Sequence, residues 1–265
     1  MSDQSVYIES GGEVFREDDG VFLEEQIAID IQFRLTGGGD NTNPNASLGG
    51  LTSAFGLAAD ALDNLFDDVS SAEAAAGDSE YRAFSVVQAG TQALVDVIFD
   101  LEASPQSTVW FFFEGKNLGA AAQTITNEST SPTLGAHGRF QLMNGVIERT
   151  GQAQGDGGGT NTLQIDSGAP TQEDEYYGWM VEITAGAGFG QRRRIIAYVA
   201  ATKTLVVHAD WAVPVNATSQ FAVQRRMYLG ALAESDDCRI WMRRNIAAGA
   251  ANRANELMTL RVEGA

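Results

Sequence analysis

The feature that most constrains this chain is an interruption. Residues 135–227 read as a small all-β unit, and the stretches on either side read as two parts of one other domain. The clearest piece of the insert is residues 177–223. Within it, residues 195–198 and 204–208 are runs rich in β-branched residues, joined by the turn-like 199–203, which is the composition of a hairpin. Gly186, Gly188 and Gly190 punctuate the approach, where a bend costs little and a helix costs much. Pro214 and Asn216 mark a turn before a last strand at 220–223.

The flanking stretches carry strands of a different kind. In residues 26–35, Ile27, Ile29, Ile31, Phe33 and Leu35 alternate with Ala28, Asp30, Gln32 and Arg34, the pattern of a half-buried strand. Residues 36–50 are a long loop of turn residues, and 52–68 show no firm period. Residues 73–76 suggest at most a helical turn after Ser70 or Ser71, stopped by Gly77. Three strands follow in close order at 80–88, 93–102 and 108–114. The second places Asp96, Asp100 and Glu102 on one side, and the third is a continuous aromatic run suited to burial on both faces. A further short strand is expected at 123–127, and residues 151–161 read as a rim loop of the insert.

After the insert, residues 238–244 and 257–262 alternate again, separated by a small-residue turn at 247–251. Two strands cannot bury both of their faces alone, so they are expected to complete the sheet begun before residue 134. Phe99, Phe112, Ile240, Trp241 and Leu260 should then share one core. The expected architecture is all-β, with an N-terminal acidic arm at 1–20 and a discontinuous β-sandwich formed by 21–134 plus 228–265. Residues 135–227 form the inserted small β-barrel or sandwich-like domain.

Charge narrows the partners. The net charge is −18, and residues 1–134 carry 22 acidic against 4 basic side chains. Phosphate binding needs clustered Lys and Arg, so nucleic acid is not expected as a partner. No run approaches the roughly 20 apolar residues of a membrane span, and no membrane partner is expected. The N-terminal residues lack the basic start and apolar stretch of a signal peptide. A single cysteine, Cys238, excludes an intrachain disulfide and fits a reducing compartment.

The motifs that might carry chemistry are few. Residues 186–190 (GAGFG) lack the Lys-Ser/Thr of a phosphate loop and lead into a strand, so they read as a turn. His137 and His208 share no metal-binding spacing, and His208 closes an apolar strand as a structural residue. Asp60, Asp63, Asp67 and Asp68 do not fit a twelve-residue calcium loop. No catalytic residue, metal site or cofactor is expected, and the chain reads as a non-enzyme. The residues best suited to touch a partner or a glycan are Tyr176, Tyr177, Trp179 and Trp211, as stacking faces, with Arg192 and Arg193 beside them. Core packing is the competing role for the aromatics.

Several short segments resemble a family of tailed-bacteriophage virion structural proteins. They are residues 33–38 (FRLTGG), 43–50 (NPNASLGG), 65–69 (LFDDV) and 77–82 (GDSEYR), with residues 240–244 (IWMRR), 247–250 (AAGA) and 260–262 (LRV) near the end. The resemblance covers about 27–133 and 228–265. Separately, residues 192–223 are similar to a small β unit of phage tail and fibre proteins. This likeness implies a building part of a virion, assembled in the bacterial host cytoplasm. Its partners would be other virion proteins and copies of itself in a homo-oligomer. Tail or head–tail (neck) protein is the leading expectation. A capsid decoration protein, or a tail module binding a host-surface glycan, is the alternative.

Overall fold

The computed structural model describes residues 30–57, 65–103, 108–249 and 259–264. Its regular structure is nearly all β. In chain order come Ile31–Thr36 (β1), Thr52–Gly56 (β2), the short helix Ser71–Ala76 (α1), Asp78–Gln88 (β3), Leu94–Ala103 (β4) and Thr108–Lys116 (β5). Next are Ile147–Gln152 (β6), Thr162–Gln164 (β7), Met180–Ala185 (β8), Arg192–Val199 (β9), Thr204–Val207 (β10) and Gln220–Gln224 (β11). Met227–Leu232 (β12), Asp237–Ile246 (β13) and Thr259–Glu263 (β14) close the chain. No helix among the described residues is long and apolar enough to cross a membrane.

Three antiparallel sheets result. The first has the order β2-β1-β3-β13-β5, so a C-terminal strand lies between two N-terminal ones. Its register sets Trp241 opposite Ala83 on one side and Phe112 on the other. Side chains alternate across a strand, so neighbours in sequence go to opposite faces. Phe84, Val86, Phe111, Cys238, Ile240 and Met242 enter the main core. Ala83, Phe112, Trp241 and Ile125 form a second cluster on the far side. The single core expected for Phe99, Phe112, Ile240, Trp241 and Leu260 is therefore two cores. Phe99, Ile240 and Leu260 join the first, while Phe112 and Trp241 join the second. Each buried aromatic removes ~150–250 Å² from water, which at ~25 cal/mol per Å² is an upper value of about 4–6 kcal/mol.

The second cluster is roofed by loops. Gly50 N–H donates to Gln123 O and Ile125 N–H to Leu48 O, tying residues 36–50 to the segment after β5. Gly49 stands where a Cβ would meet Gln123 O at 2.0 Å and the Trp241 ring at 2.8 Å, with φ at +90°. Only glycine lets the loop lie this close. The strand expected at 123–127 is reduced here to one bridge, Thr124 to Gly49. Its hydrogen bonds go to the loop instead of to a sheet neighbour.

The three-stranded sheet, β12-β4-β14, faces the first. Phe99 of β4 packs edge-on against Phe111 at 5.1 Å and lies 5.9 Å from Phe84. The C-terminal segment thus supplies β13 to one layer and β14 to the other. Asp96 has a φ of 52° where the β12–β4 register shifts, an irregularity in an otherwise alternating strand.

The remaining sheet has the order β6-β11-β8-β9-β10-β7. The expected hairpin is β9–β10, with Lys203 at positive φ in its turn. The two chain crossings into this sheet are adjacent: Gly145 N–H donates to Arg225 O at 3.0 Å, and Arg225 N–H to Val146 O at 2.9 Å. Residues 135–145 instead run along the sandwich, where Gln141 and Phe111 exchange backbone bonds and Leu101 N–H reaches Met143 O. Residues 151–161, expected as a rim loop, begin with the end of β6 and return to bridge Gln164 from Gly155. The apolar interior of the six-stranded sheet is continuous with that of the sandwich.

Helix α1 follows the sequence closely. Ser70 Oγ accepts from Glu73 N–H at 3.2 Å while Glu73 Oε2 accepts from Ser70 N–H at 2.6 Å, a reciprocal cap. Gly77, at positive φ, ends it.

Candidate functional site: the seam between the sheets

The three consecutive arginines at the start of β9 have three different fates. Arg192 pairs with Glu182 on β8, with nitrogens 3.1 and 3.2 Å from Oε1. Arg193 lies over the Trp211 ring and donates twice to Asp210 O. Arg194 turns towards the sandwich, with its guanidinium 3.9 Å from the Phe113 ring centre and Nη1 donating to Tyr228 O at 2.8 Å. Burial pulls the Arg194 pKa down to about 10, since the charged form has lost its water. This is the residue that sequence reasoning passed over. A run of like residues on a strand predicts two faces, not which one meets another sheet.

His208 completes that seam. Its Nδ1 accepts from the Arg194 backbone N–H at 3.1 Å, and its ring lies 5.6 Å from Tyr228. Burial, then the charges of Arg194 and Arg193, lower its pKa to about 4, so the imidazole is neutral and structural at neutral pH. Tyr228 donates to Asp96 Oδ1 at 2.6 Å, and its own phenol is raised by burial and by that carboxylate.

The aromatics proposed as stacking faces separate into two groups. Tyr176, Trp179 and Trp211 are only 1%, 3% and 5% exposed, and their rings are used inside the fold. Tyr176 packs edge-on against Tyr198 at 5.0 Å and lies 5.9 Å from Trp179. Trp179 Nε1 donates to Leu142 O, and Trp211 Nε1 to Thr162 O. Tyr177 is half-buried and stacks on Phe112, a contact between the insert and the sandwich. The structure does not gather these four into a common exposed face, and their packing explains why: each ring already lies against protein.

A carboxylate group was also missed. Glu73, Asp78 and Glu80 place oxygens within 4.8 Å of one another. These donors are already engaged: Glu73 caps α1, Asp78 accepts from Ser79 N–H, and buried Glu80 accepts from Arg244 Nε at 2.6 Å. Desolvation raises Glu80 to about 6 despite Arg244. Of the aspartates weighed as calcium ligands, Asp67 lies 3.9 Å from both Arg82 and Arg244. Asp60 and Asp63 lie outside the described residues. Cys238 is fully buried and its thiol is pushed up to about 12, so it is not a nucleophile at neutral pH.

One surface feature stands out at the far end of the insert. Phe189 is 73% exposed on the turn between β8 and β9, and Val213 on the adjoining loop is 54% exposed. The turn is held rigidly, because Gln191 Nε2 donates to Val213 O while Val213 N–H donates to Gln191 Oε1. At Gly186, with φ at +75°, a Cβ would lie 2.0 Å from Thr218 O. The arrangement fixes the backbone that carries an exposed aromatic side chain, which lowers the ordering cost of contact. No family model, curated protein or solved structure matches this chain.

Proposed function

We propose that this protein is a non-enzymatic structural component of a tailed-phage virion, working as an oligomeric tail or head–tail part. The observation that carries the reading is the sheet that joins the two sets of resembling segments. Residues 77–82 lie largely on β3 and residues 240–244 on β13, and these strands pair directly, Arg244 opposite Glu80 and Trp241 opposite Ala83. Segments separated by the whole insert therefore form one structural unit, as the resemblance implies. A rigid antiparallel scaffold with a fixed aromatic tip suits repeated contact between subunits. On this reading its partners are copies of itself and neighbouring virion proteins, and its place is the assembled particle. The glycan-binding alternative loses support, because three of its four aromatic contacts are buried.

The test is mass spectrometry of purified particles with copy counting. About six or twelve copies, as closed ring symmetry gives, support tail or neck. Hundreds of copies would make it a capsid decoration protein, and absence from particles would overturn the reading.

A further inference from the structure

The second face of the five-stranded sheet ends in a patch of arginine and aromatic rings with no acidic partner. Arg243 lies with its guanidinium 3.8 Å from the Trp110 ring centre and 5.3 Å from that of Phe140. Phe140 in turn packs on Tyr81 at 5.5 Å and on Phe112 at 6.0 Å. Trp110, Phe140, Tyr81 and Arg243 are all half-buried, so each retains some surface. Arg243 Nε is buried with no hydrogen-bond partner, and no carboxylate pairs with this guanidinium among the described residues. In a chain of net charge −18, an arginine left without a carboxylate on an aromatic surface is conspicuous. A desolvated guanidinium gains most from an anion that arrives with its own apolar cover.

The chain itself contains a segment of the matching chemistry. The 29 residues before Asp30 hold eight carboxylates and one arginine. The acids are interleaved with Tyr7, Ile8, Phe15, Phe22 and Leu23. Around Phe15 stand Glu13, Glu17, Asp18 and Asp19 with Arg16 between them, so one short stretch offers an aromatic anchor and a net charge of −3. We propose that the acidic segment 1–25 of a second copy docks on the Arg243–Trp110–Phe140 patch, linking neighbouring subunits. The proposal rests on the reading of the protein as a repeating part of an assembly. It assigns the contact to charge-assisted pairing over aromatic rings, with Phe15 as the apolar anchor.

Hydrogen exchange on the full-length protein over a concentration series tests this. Amides of residues 1–25 should exchange at least about tenfold more slowly at high than at low protein concentration. The slowing should vanish in about 0.5 M NaCl, where screening is short-ranged. It should also vanish in Arg243→Gln, and in the triple variant Glu17→Lys, Asp18→Lys and Asp19→Lys, whose changes are confined to the docking segment. Exchange that is fast at every concentration, or slowing that survives Arg243→Gln and salt, overturns the proposal. Slowing independent of concentration in a sedimentation-verified monomer also overturns it, because the segment would then lie on its own chain. These outcomes do not depend on particle proteomics: absence from virions would overturn the functional reading and leave the exchange result standing.

Discussion

Arg261 on β14 grips Asp100 of β4 through two parallel bonds of 2.8 Å each, across 161 positions of sequence. Asp100 is buried, and Arg226 Nε lies 3.0 Å from the same carboxylate. Glu263 then pairs with both arginines at 3.2 Å, so the cluster ties β4, the start of β12 and the last strand together. Removing the one buried carboxylate leaves two partly buried cations sharing only Glu263, a more exposed carboxylate. Asp100→Asn should lower the unfolding free energy by about 3 kcal/mol, read from urea denaturation with an unchanged slope. A loss below about 1 kcal/mol would mean that the pair behaves as an exposed surface bridge.

Two titrating groups pull stability in opposite directions in mild acid. Glu80 has a folded pKa of about 6, above its ordinary 4.5. Its contribution is therefore fully present below 4.5 and is lost as pH rises through about 6, a difference of about 2 kcal/mol. His208 is depressed from 6.5 to about 4. Its contribution is present above 6.5 and is lost as pH falls towards 4. Thermal melts between pH 4.5 and 7 should show Glu80→Gln losing more stability on acidification than wild type, and His208→Gln losing less. Parallel curves for all three proteins would contradict both assignments.

Arg194 offers a test of what holds the insert against the sandwich. Its guanidinium covers Phe113 and donates to one carbonyl, Tyr228 O. If packing dominates, Arg194→Met should be as stable as wild type or better by about 1 kcal/mol, since the desolvation cost disappears. Arg194→Ala should lose about 2 kcal/mol, by leaving a void beside the ring. Equal losses in both variants would show that the hydrogen bond and charge carry the contact.

The paired crossings at Gly145 and Arg225 make excision of the six-stranded sheet feasible. Replacing residues 146–225 with a short Gly/Ser turn should leave a cooperative sandwich of lowered Tm, because loop closure is easy where the ends already meet. The loss should come from Phe112 and Phe113, which surrender Tyr177 and Arg194. Removing residues 237–264 should abolish cooperative melting altogether, since β13 lies between β3 and β5. A cooperative melt for the second variant would refute this account of the sheet.

What the residue pattern reveals depends on where a strand sits. β3, β5 and β13 are readable because strands covered on both faces carry long apolar or alternating runs. β6 (IERTGQ) escaped notice because it is a sheet edge exposed along most of its length, so nothing in it selects apolar residues. β12 was blurred by Gly230 at φ +85°, where its register against β4 shifts. The seam was hidden for a different reason. Periodicity shows that Phe112 and Phe113 face opposite ways, but not that Tyr177 covers one and Arg194 the other. Those contacts depend on how whole sheets are placed.

The central position of β13 also has a consequence for timing. During synthesis β3 and β5 emerge with facing edges unfilled, and the strand between them follows 130 positions after Lys116, at Ile246. At about 5–20 residues per second, the ribosome needs roughly 7–26 s to deliver it. Meanwhile the six-stranded sheet, contiguous in sequence, is complete. A nascent chain therefore spends seconds with finished insert and open aromatic edges, and any delay in translating residues 225–246 lengthens its exposure to chaperones and to other nascent copies.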